Sequence, residues 1–206
     1  MSSTEDEERE ALALPRRIAL RRGDGPTVRD AALERMTTAL EEQVVARWVP
    51  VLQRLGTRDA RWRWAEKTTE SELCYMTGVE HVAITHEGEV QGVMITSLPD
   101  RPPVLSSLPD LLYVEYVAVA PWNRANEGQL RKFKAVGPIL LQHAVRRSRH
   151  EGRRGRVGLH SELDPDTLKF YREKVLIPGR GADHNEDNRE YFEGDVAWAS
   201  AFLAGR

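Results

Sequence analysis

Between Tyr113 and Leu141 the chain runs from a strand-forming segment, Tyr-Val-Glu-Tyr-Val-Ala-Val-Ala, through Pro121 to Lys-Phe-Lys-Ala-Val-Gly-Pro, and then into an apolar helix-forming run. The first segment is rich in β-branched and aromatic residues, as a buried strand requires. Proline ends it, and a glycine-containing turn opens the helix. The first turn of a helix carries backbone N–H groups without intrahelical partners and about half a unit of positive charge. A strand leading into such a turn is therefore a place where a phosphate can be held by main chain alone.

The rest of the composition narrows the class. With 206 residues, 40% of them hydrophobic and 30% charged, the chain suits one globular domain spanning 15–206. An acidic tail, 1–14, is expected to be disordered because it has little to bury. No apolar run approaches the ~20 residues of a membrane-spanning helix, and the N-terminus is acidic where a signal peptide would be basic and then apolar. A cytoplasmic location is the expectation. A single cysteine, Cys74, excludes an internal disulfide, and six scattered histidines without paired spacing argue against a metal centre. The net charge of −2 removes a global drive toward nucleic acid. The run from Arg146 to Arg156, with six arginines, reads either as a solvated basic turn or as a local patch for nucleic acid.

Periodicity sets the remaining elements. Ile18 to Leu20 predict a short first strand within 17–22. From Thr27, the apolar residues Val28, Ala32, Met36, Leu40, Val44 and Trp48 recur every four positions and predict a helical region, bent or broken near Pro50, with a second piece ending at Gly56. Val82 to Thr85 and Val90 to Ile95 flank His-Glu-Gly-Glu and predict a hairpin. Leu98 to Pro109 is read as a loop and Leu111 to Val119 as the strongest strand. A helix through Ile139 to Arg147 and a strand over 156–160 follow. Asp164-Pro165 then starts a helix over 166–174, since Asp caps and proline suits the first helical position. Arg189 to Glu193 is a late strand, and Asp195 caps a terminal helix through Trp198 and Phe202.

In this order the elements resemble the GNAT superfamily of acyl-CoA-dependent N-acyltransferases, from about Pro15 to Glu193. The family's strand ending before proline, followed by Arg/Gln-x-x-Gly-x-Gly/Ala, is similar to Val117 to Pro121 and Lys132 to Gly137. Lys132 stands for Arg/Gln and Ala135 for the first glycine, and 124–131 reads as an insertion between strand and loop. A second motif, Asn-x-x-Ala-x-x-Phe-Tyr, is similar to Asp164 to Tyr171, with Phe170 and Tyr171 unchanged and the usual following Gly-Phe replaced by Val175-Leu176. The resemblance implies an α/β (α+β) fold with a mixed, mostly antiparallel sheet flanked by helices, here with an extended helical N-terminal region. It implies acetyl-CoA or another acyl-CoA as co-substrate, with no metal. The main chain of Val117, Ala118 and Val119 would pair with the pantetheine arm. The amides of Phe133, Lys134, Ala135, Val136 and Gly137 would hold the pyrophosphate, with charge from Lys132 or Lys134.

Residues two apart on a strand share a face, so Tyr113, Glu115, Val117 and Val119 point one way. A carboxylate there needs a partner or a purpose. The resemblance gives Glu115 the role of general base; a structural ion pair or a solvent-facing residue is the alternative. It gives Tyr171 the role of the acid that protonates the departing thiolate, with Phe170 facing the core and Tyr171 the cleft; a packed tyrosine is the alternative. His160 is read as structural or as a further site residue, and Trp62 and Trp64 as packing or as lining an acceptor pocket. The implied acceptor is a primary amine: a small molecule, a peptide or a protein lysine. A module that holds acyl-CoA or a partner without turnover is the competing class, and a homodimer remains open.

Overall fold

The structure, a computed structural model, describes residues 12–62, 78–98, 111–124, 130–184 and 186–205. Cys74, Trp64, the acidic tail up to residue 11 and all but Leu98 of the expected 98–109 loop lie outside them. Among the described residues the strands are β1 (Arg16–Arg22), β2 (Thr27–Arg35), β3 (Glu80–His86), β4 (Glu89–Ser97), β5 (Leu112–Val119), β6 (Phe133–Lys134), β7 (Val157–Ser161), β8 (Gly179–Asp183) and β9 (Arg189–Gly194), in the order β6-β1-β2-β3-β4-β5-β7-β9-β8 and with mostly antiparallel pairing. The described residues divide into two compact units, the first drawn from 13–95 and 116–140 and the second from Leu12, 96–115 and 141–206. No helix among the described residues is long and apolar enough to cross a membrane.

The first unit opens with β1 (Arg16–Arg22) and β2 (Thr27–Arg35). They form an antiparallel hairpin, Arg16 opposite Leu33 and Arg21 opposite Thr27. The sequence reading put a helix from Thr27, and this is corrected: helix α1 begins only at Thr38 and runs to Arg54. The spacing of Val28, Ala32 and Met36 was misleading because the buried residues of this stretch are Ala31 and Leu33, two apart, as a strand requires. Gly-Asp-Gly-Pro at 23–26 is the turn signal that separates the strands. Among the described residues the extended helical N-terminal region is represented by α1 and a 3₁₀ turn over Arg58–Arg61.

Within α1 the four-residue pattern does hold. Val44, Trp48 and Leu52 are buried against Ala83, Val90, Val93, Ile95, Ala118 and Ala120. Thr37 caps the start, its hydroxyl accepting from the Leu40 amide, and Gly56 just past the end takes a left-handed φ of +65°. Pro50 lies inside the helix without ending it. Its cost of ~3 kcal/mol in a helix interior is offset by the anchoring of Trp48 and Leu52 on either side. Strands β3 (Glu80–His86) and β4 (Glu89–Ser97) meet across Glu87 and Gly88. Both turn residues have positive φ, 51° and 73°, as a two-residue hairpin turn demands.

Strand β5 (Leu112–Val119) is shared between the units, as is α2 (Val136–His150). In the second unit the start of β5 pairs in parallel with β7 (Val157–Ser161), from Leu112 opposite Val157 to Val114 opposite Leu159. The β5–β7 ladder ends there while β5 continues to Val119. Helix α3 (Pro165–Lys169) continues as a π-helical stretch, Phe170–Val175. Then come β8 (Gly179–Asp183), which the sequence reading did not foresee, β9 (Arg189–Gly194) and α4 (Val196–Leu203). Asp164 and Asp195 both cap as expected, accepting from the amides of Thr167 at 2.9 Å and Trp198 at 2.8 Å. A Cβ on Gly194 would lie 2.0 Å from the Trp198 ring, so only glycine lets α4 turn back so closely on β9.

Candidate functional site

The strand-to-helix passage in the first unit is built around Gln91, a fully buried residue of β4. Its main-chain carbonyl accepts from the Ala120 amide at 2.9 Å and from Asn123 Nδ2 at 3.1 Å. Its side-chain oxygen accepts from Trp122 Nε1 at 2.9 Å. Asn123, in a 3₁₀ turn over Pro121–Asn123, then accepts from the Phe133 amide at 2.8 Å. The Lys132 amide donates to the Trp122 carbonyl, also at 2.8 Å. These bonds clip residues 122–123 to 132–133, on either side of the expected 124–131 insertion, of which 125–129 lie outside the described residues. The strand and the helix it feeds stay joined as though the extra residues were absent. Nothing in the sequence motif marked Gln91 or Asn123; a buried polar pair 32 residues apart has no periodic signature.

Phe133 and Lys134 form the short strand β6, which pairs with Arg22 and Arg21 of β1. Ala135 follows with φ +63°, and α2 begins at Val136. Ala135 thus holds the left-handed conformation that glycine adopts freely and that costs another L-residue ~1–2 kcal/mol. Its position is the one where the resemblance expects glycine. Ala135→Gly should relieve that strain, less the ~0.4–1 kcal/mol by which glycine loosens the unfolded chain. For a chain of this size a rise of about 1–4 °C in melting temperature is expected; a fall on thermal denaturation would show that the strain is absent.

Helix α2 lies close to β4 because residue 92 is glycine: a Cβ there would sit 2.6 Å from Val136 Cγ1 and 3.1 Å from Leu140 Cδ1. Among the nominated amides, Phe133 already donates to Asn123. Pro138 has no N–H, and Ile139 donates to the Ala135 carbonyl at 3.1 Å. The first-turn amides are then those of Val136 and Gly137, preceded by Ala135. Lys132 is engaged in an ion pair with Glu89, which Arg47 also contacts at 2.5 Å. Burial opposes ionisation of Glu89, but hydrogen bonds from Lys132 and Gln91 and the charges of Lys132 and Arg47 hold it below the usual carboxylate range. Lys134 is the loop cation without a salt bridge among the described residues. Arg124 donates through Nε to the Val119 carbonyl at 3.2 Å and pairs with Asp59.

In the second unit, Tyr113 and Glu115 are half-buried and alternate with the buried Leu112 and Val114, as the strand reading expected. Ser97 Oγ donates to Glu115 Oε1 at 2.5 Å. Tyr113 makes a 2.5 Å hydrogen bond with Nδ1 of His160, and His160 Nε2 lies 3.1 Å from Asp183 Oδ2. Burial pulls the His160 pKa below its ordinary value, against the raising effect of Asp183. Tyr171 departs from the expected division of labour: it is 5% exposed, with its ring 5.2 Å from that of Phe192, while Phe170 is half-buried. Burial raises its phenol pKa. The π-helical turn changes the angular relation of these neighbours from the ~100° of an α-helix on which that division rested. Leu176 ends the turn with φ +56°, taking the left-handed position near which the resemblance expects Gly-Phe.

The basic run separates into parts. Arg147, buried, donates to Thr96 Oγ1 at 2.5 Å; Arg156 pairs with the buried Glu193 at 2.9 Å; Arg149 donates to Ser200. Arg147 and Arg156, buried and paired inside the fold, therefore fit neither a solvated basic turn nor a patch for a phosphate backbone. Trp62 packs edge-on against Tyr116, centroids 5.3 Å apart, at the border of the α1 core. No cluster of three or more His, Cys, Asp or Glu that could hold a metal occurs among the described residues.

No family model matches the chain, and no curated protein does. Solved structures do. The GNAT domain of S. lividans PAT aligns over 88% of this chain and 96% of its own, with TM-score 0.55 and 18% identity. The aminoglycoside acetyltransferase AAC(6')-Ib in complex with ribostamycin and coenzyme A aligns over 82% and 96%, with TM-score 0.57 and 17% identity. The PaiA N-acetyltransferase of Thermoplasma acidophilum, in complex with coenzyme A, aligns over 80% and 98%, with TM-score 0.51 and 8% identity.

Proposed function

On the premise that the chain has the fold of the GNAT acetyltransferases, we propose that it is an N-acyltransferase carrying an acyl group from acyl-CoA to a primary amine by direct attack in a ternary complex. The observation that carries this reading is the clipped strand-to-helix loop. Despite an insertion and a missing glycine, Ala135 keeps the left-handed turn and Val136 and Gly137 open α2 with their amides. That arrangement suits a pyrophosphate held by main chain, with Lys134 adding charge. Bound coenzyme A in two of the structural neighbours supports the same assignment.

The remaining residues take their roles from chemistry. The edge of β5 beyond Val114, at Val117, Ala118 and Val119, would receive an extended pantetheine arm as an added strand and offer amides to the oxyanion. Glu115 would take a proton from the incoming amine, which attacks a thioester only when deprotonated. Tyr171 would return a proton to the departing thiolate. Its buried ring and raised pKa keep it a proton donor at neutral pH. That same burial also favours the second reading, a module that holds acyl-CoA without turnover. Calorimetry with coenzyme A tests the shared premise, and release of free thiol from acetyl-CoA across an amine library separates the two.

A further inference from the structure

Three side chains from three strands of the second unit meet in a line the reaction scheme above does not use. Tyr113 of β5 bonds to Nδ1 of His160 on β7, and Nε2 of His160 faces Asp183 of β8. Tyr191 of β9 covers the imidazole, centroids 4.9 Å apart. The imidazole is well enclosed, its side chain 6% exposed against 30% for Asp183. Glu186 and Arg189 also act on it electrostatically, in opposite senses.

The protonation states follow from the partners. A carboxylate can only accept, so Nε2 carries hydrogen toward Asp183 and Nδ1 of the neutral ring is an acceptor. Tyr113 must therefore give its proton to Nδ1. A phenol has one proton and two lone pairs, so with that proton committed its oxygen meets everything else as an acceptor. Glu115, two residues along, is on the same strand face. The face thus presents two acceptors side by side, one of them backed by a histidine and a carboxylate.

We propose that Tyr113 is a second proton acceptor for the amine substrate, with His160 and Asp183 as the positioning pair that draws the proton away. The inference rests on the reading of Glu115 as first acceptor. Its need lies in the proton balance: an ammonium that becomes an amide nitrogen loses two protons, and since the departing thiolate is protonated by Tyr171, both amine protons require an acceptor. Glu115 accepts the first, leaving the amine free to attack. As the C–N bond forms, the nitrogen becomes positive; its second proton passes to the Tyr113 oxygen while the phenolic proton moves to His160 Nδ1. The resulting imidazolium pairs with Asp183 until it returns its proton to water. Collapse breaks the C–S bond, Tyr171 gives its proton to the departing thiolate so that it leaves as thiol, and Glu115 then releases a proton to water while Tyr171 takes one back.

Acid should therefore switch the relay off. Protonated His160 has no acceptor at Nδ1, so Tyr113 can no longer donate there. The lowered pKa also means the unfolded chain binds this proton first, so stability conferred by neutral His160 is present above about pH 6.5 and declines as pH falls through the lowered folded value.

Tyr113→Phe removes one oxygen and keeps the ring. It should lower kcat by about 10-fold or more, with coenzyme A affinity within about 2-fold of wild type, and abolish the acid limb of the pH–kcat profile assigned to His160. Asp183→Asn should lower kcat too but retain a limb, displaced to lower pH, because the imidazolium loses its counter-charge. Nitrogen-resolved NMR of His160 provides a readout apart from turnover: wild type should hold the Nε2–H tautomer at pH 7.5, and Tyr113→Phe should shift the Nδ1 resonance. A Tyr113→Phe protein with wild-type kcat and pH profile would overturn the relay alone. A wild-type protein that binds coenzyme A but releases no thiol with any amine would overturn the acyltransferase reading and the relay with it.

Discussion

Arg156→Ala should cost about 3–5 kcal/mol of folding stability, because it strands a carboxylate in the interior. Glu193 is fully buried; one oxygen accepts from Arg156 at 2.9 Å and the other from the Tyr191 hydroxyl at 3.0 Å. With the guanidinium gone, the buried Glu193 charge loses this ion pair. Tyr191 loosens in turn, and with it the cover on His160. Denaturant titration should show the loss, and Arg156→Met combined with Glu193→Leu should recover much of it, since neither member of the pair is then left unmatched. A single-mutant loss below about 1 kcal/mol would mean that water reaches Glu193.

Glu115→Gln should lower turnover by ~10²-fold or more at neutral pH while coenzyme A affinity stays near wild type. The amide keeps an oxygen to accept from Ser97, so the strand face is preserved and only the base is lost. The deficit should shrink as pH rises, because more of the amine then arrives deprotonated. Thiol release followed across pH measures both effects. Unchanged turnover would make Glu115 a structural residue held by Ser97, and would move the first proton acceptor elsewhere on that face.

What was legible in the sequence was what local patterning controls. The hairpin at 86–89, the strand to Val119 and the caps Asp164 and Asp195 each have a nearby chemical cause: positive φ at Glu87-Gly88, β-branching, or a side-chain oxygen facing a free amide. Over 27–35 the apolar residues that recur every four positions predict a helix, whereas the buried pair is Ala31 and Leu33, spaced by two as in a strand. Ala32 is only partly buried, so its hydrophobicity carried no directional information. Strand β8, Gly-Arg-Gly-Ala-Asp, has almost no apolar content and exists by pairing with β9; no propensity argument could find it.

The candidate site was legible by motif and illegible in its supports. Glu115, Ala135, Gly137 and Tyr171 could be named because a resemblance fixed their spacing. Gln91, Asn123 and Asp183 could not, since each acts through a partner 23 to 32 residues away. Tyr171 shows the limit from the other side. The motif gave its position, but whether the hydroxyl side of the helix faces outward depends on a π-helical turn that Phe-Tyr-Arg-Glu does not announce.

On the proposed reading, the turn at Ala135 and the first amides of α2 bind the pyrophosphate of an acyl-CoA. Isothermal calorimetry with coenzyme A alone tests it most directly, because it asks for neither an acceptor nor turnover. The account predicts one site per chain for wild type, and no binding for a folded Gly137→Val, whose branched side chain would fill the space a phosphate needs beside the backbone. No heat and no thermal stabilisation of the wild type at millimolar coenzyme A, or equal affinity in Gly137→Val, would contradict it.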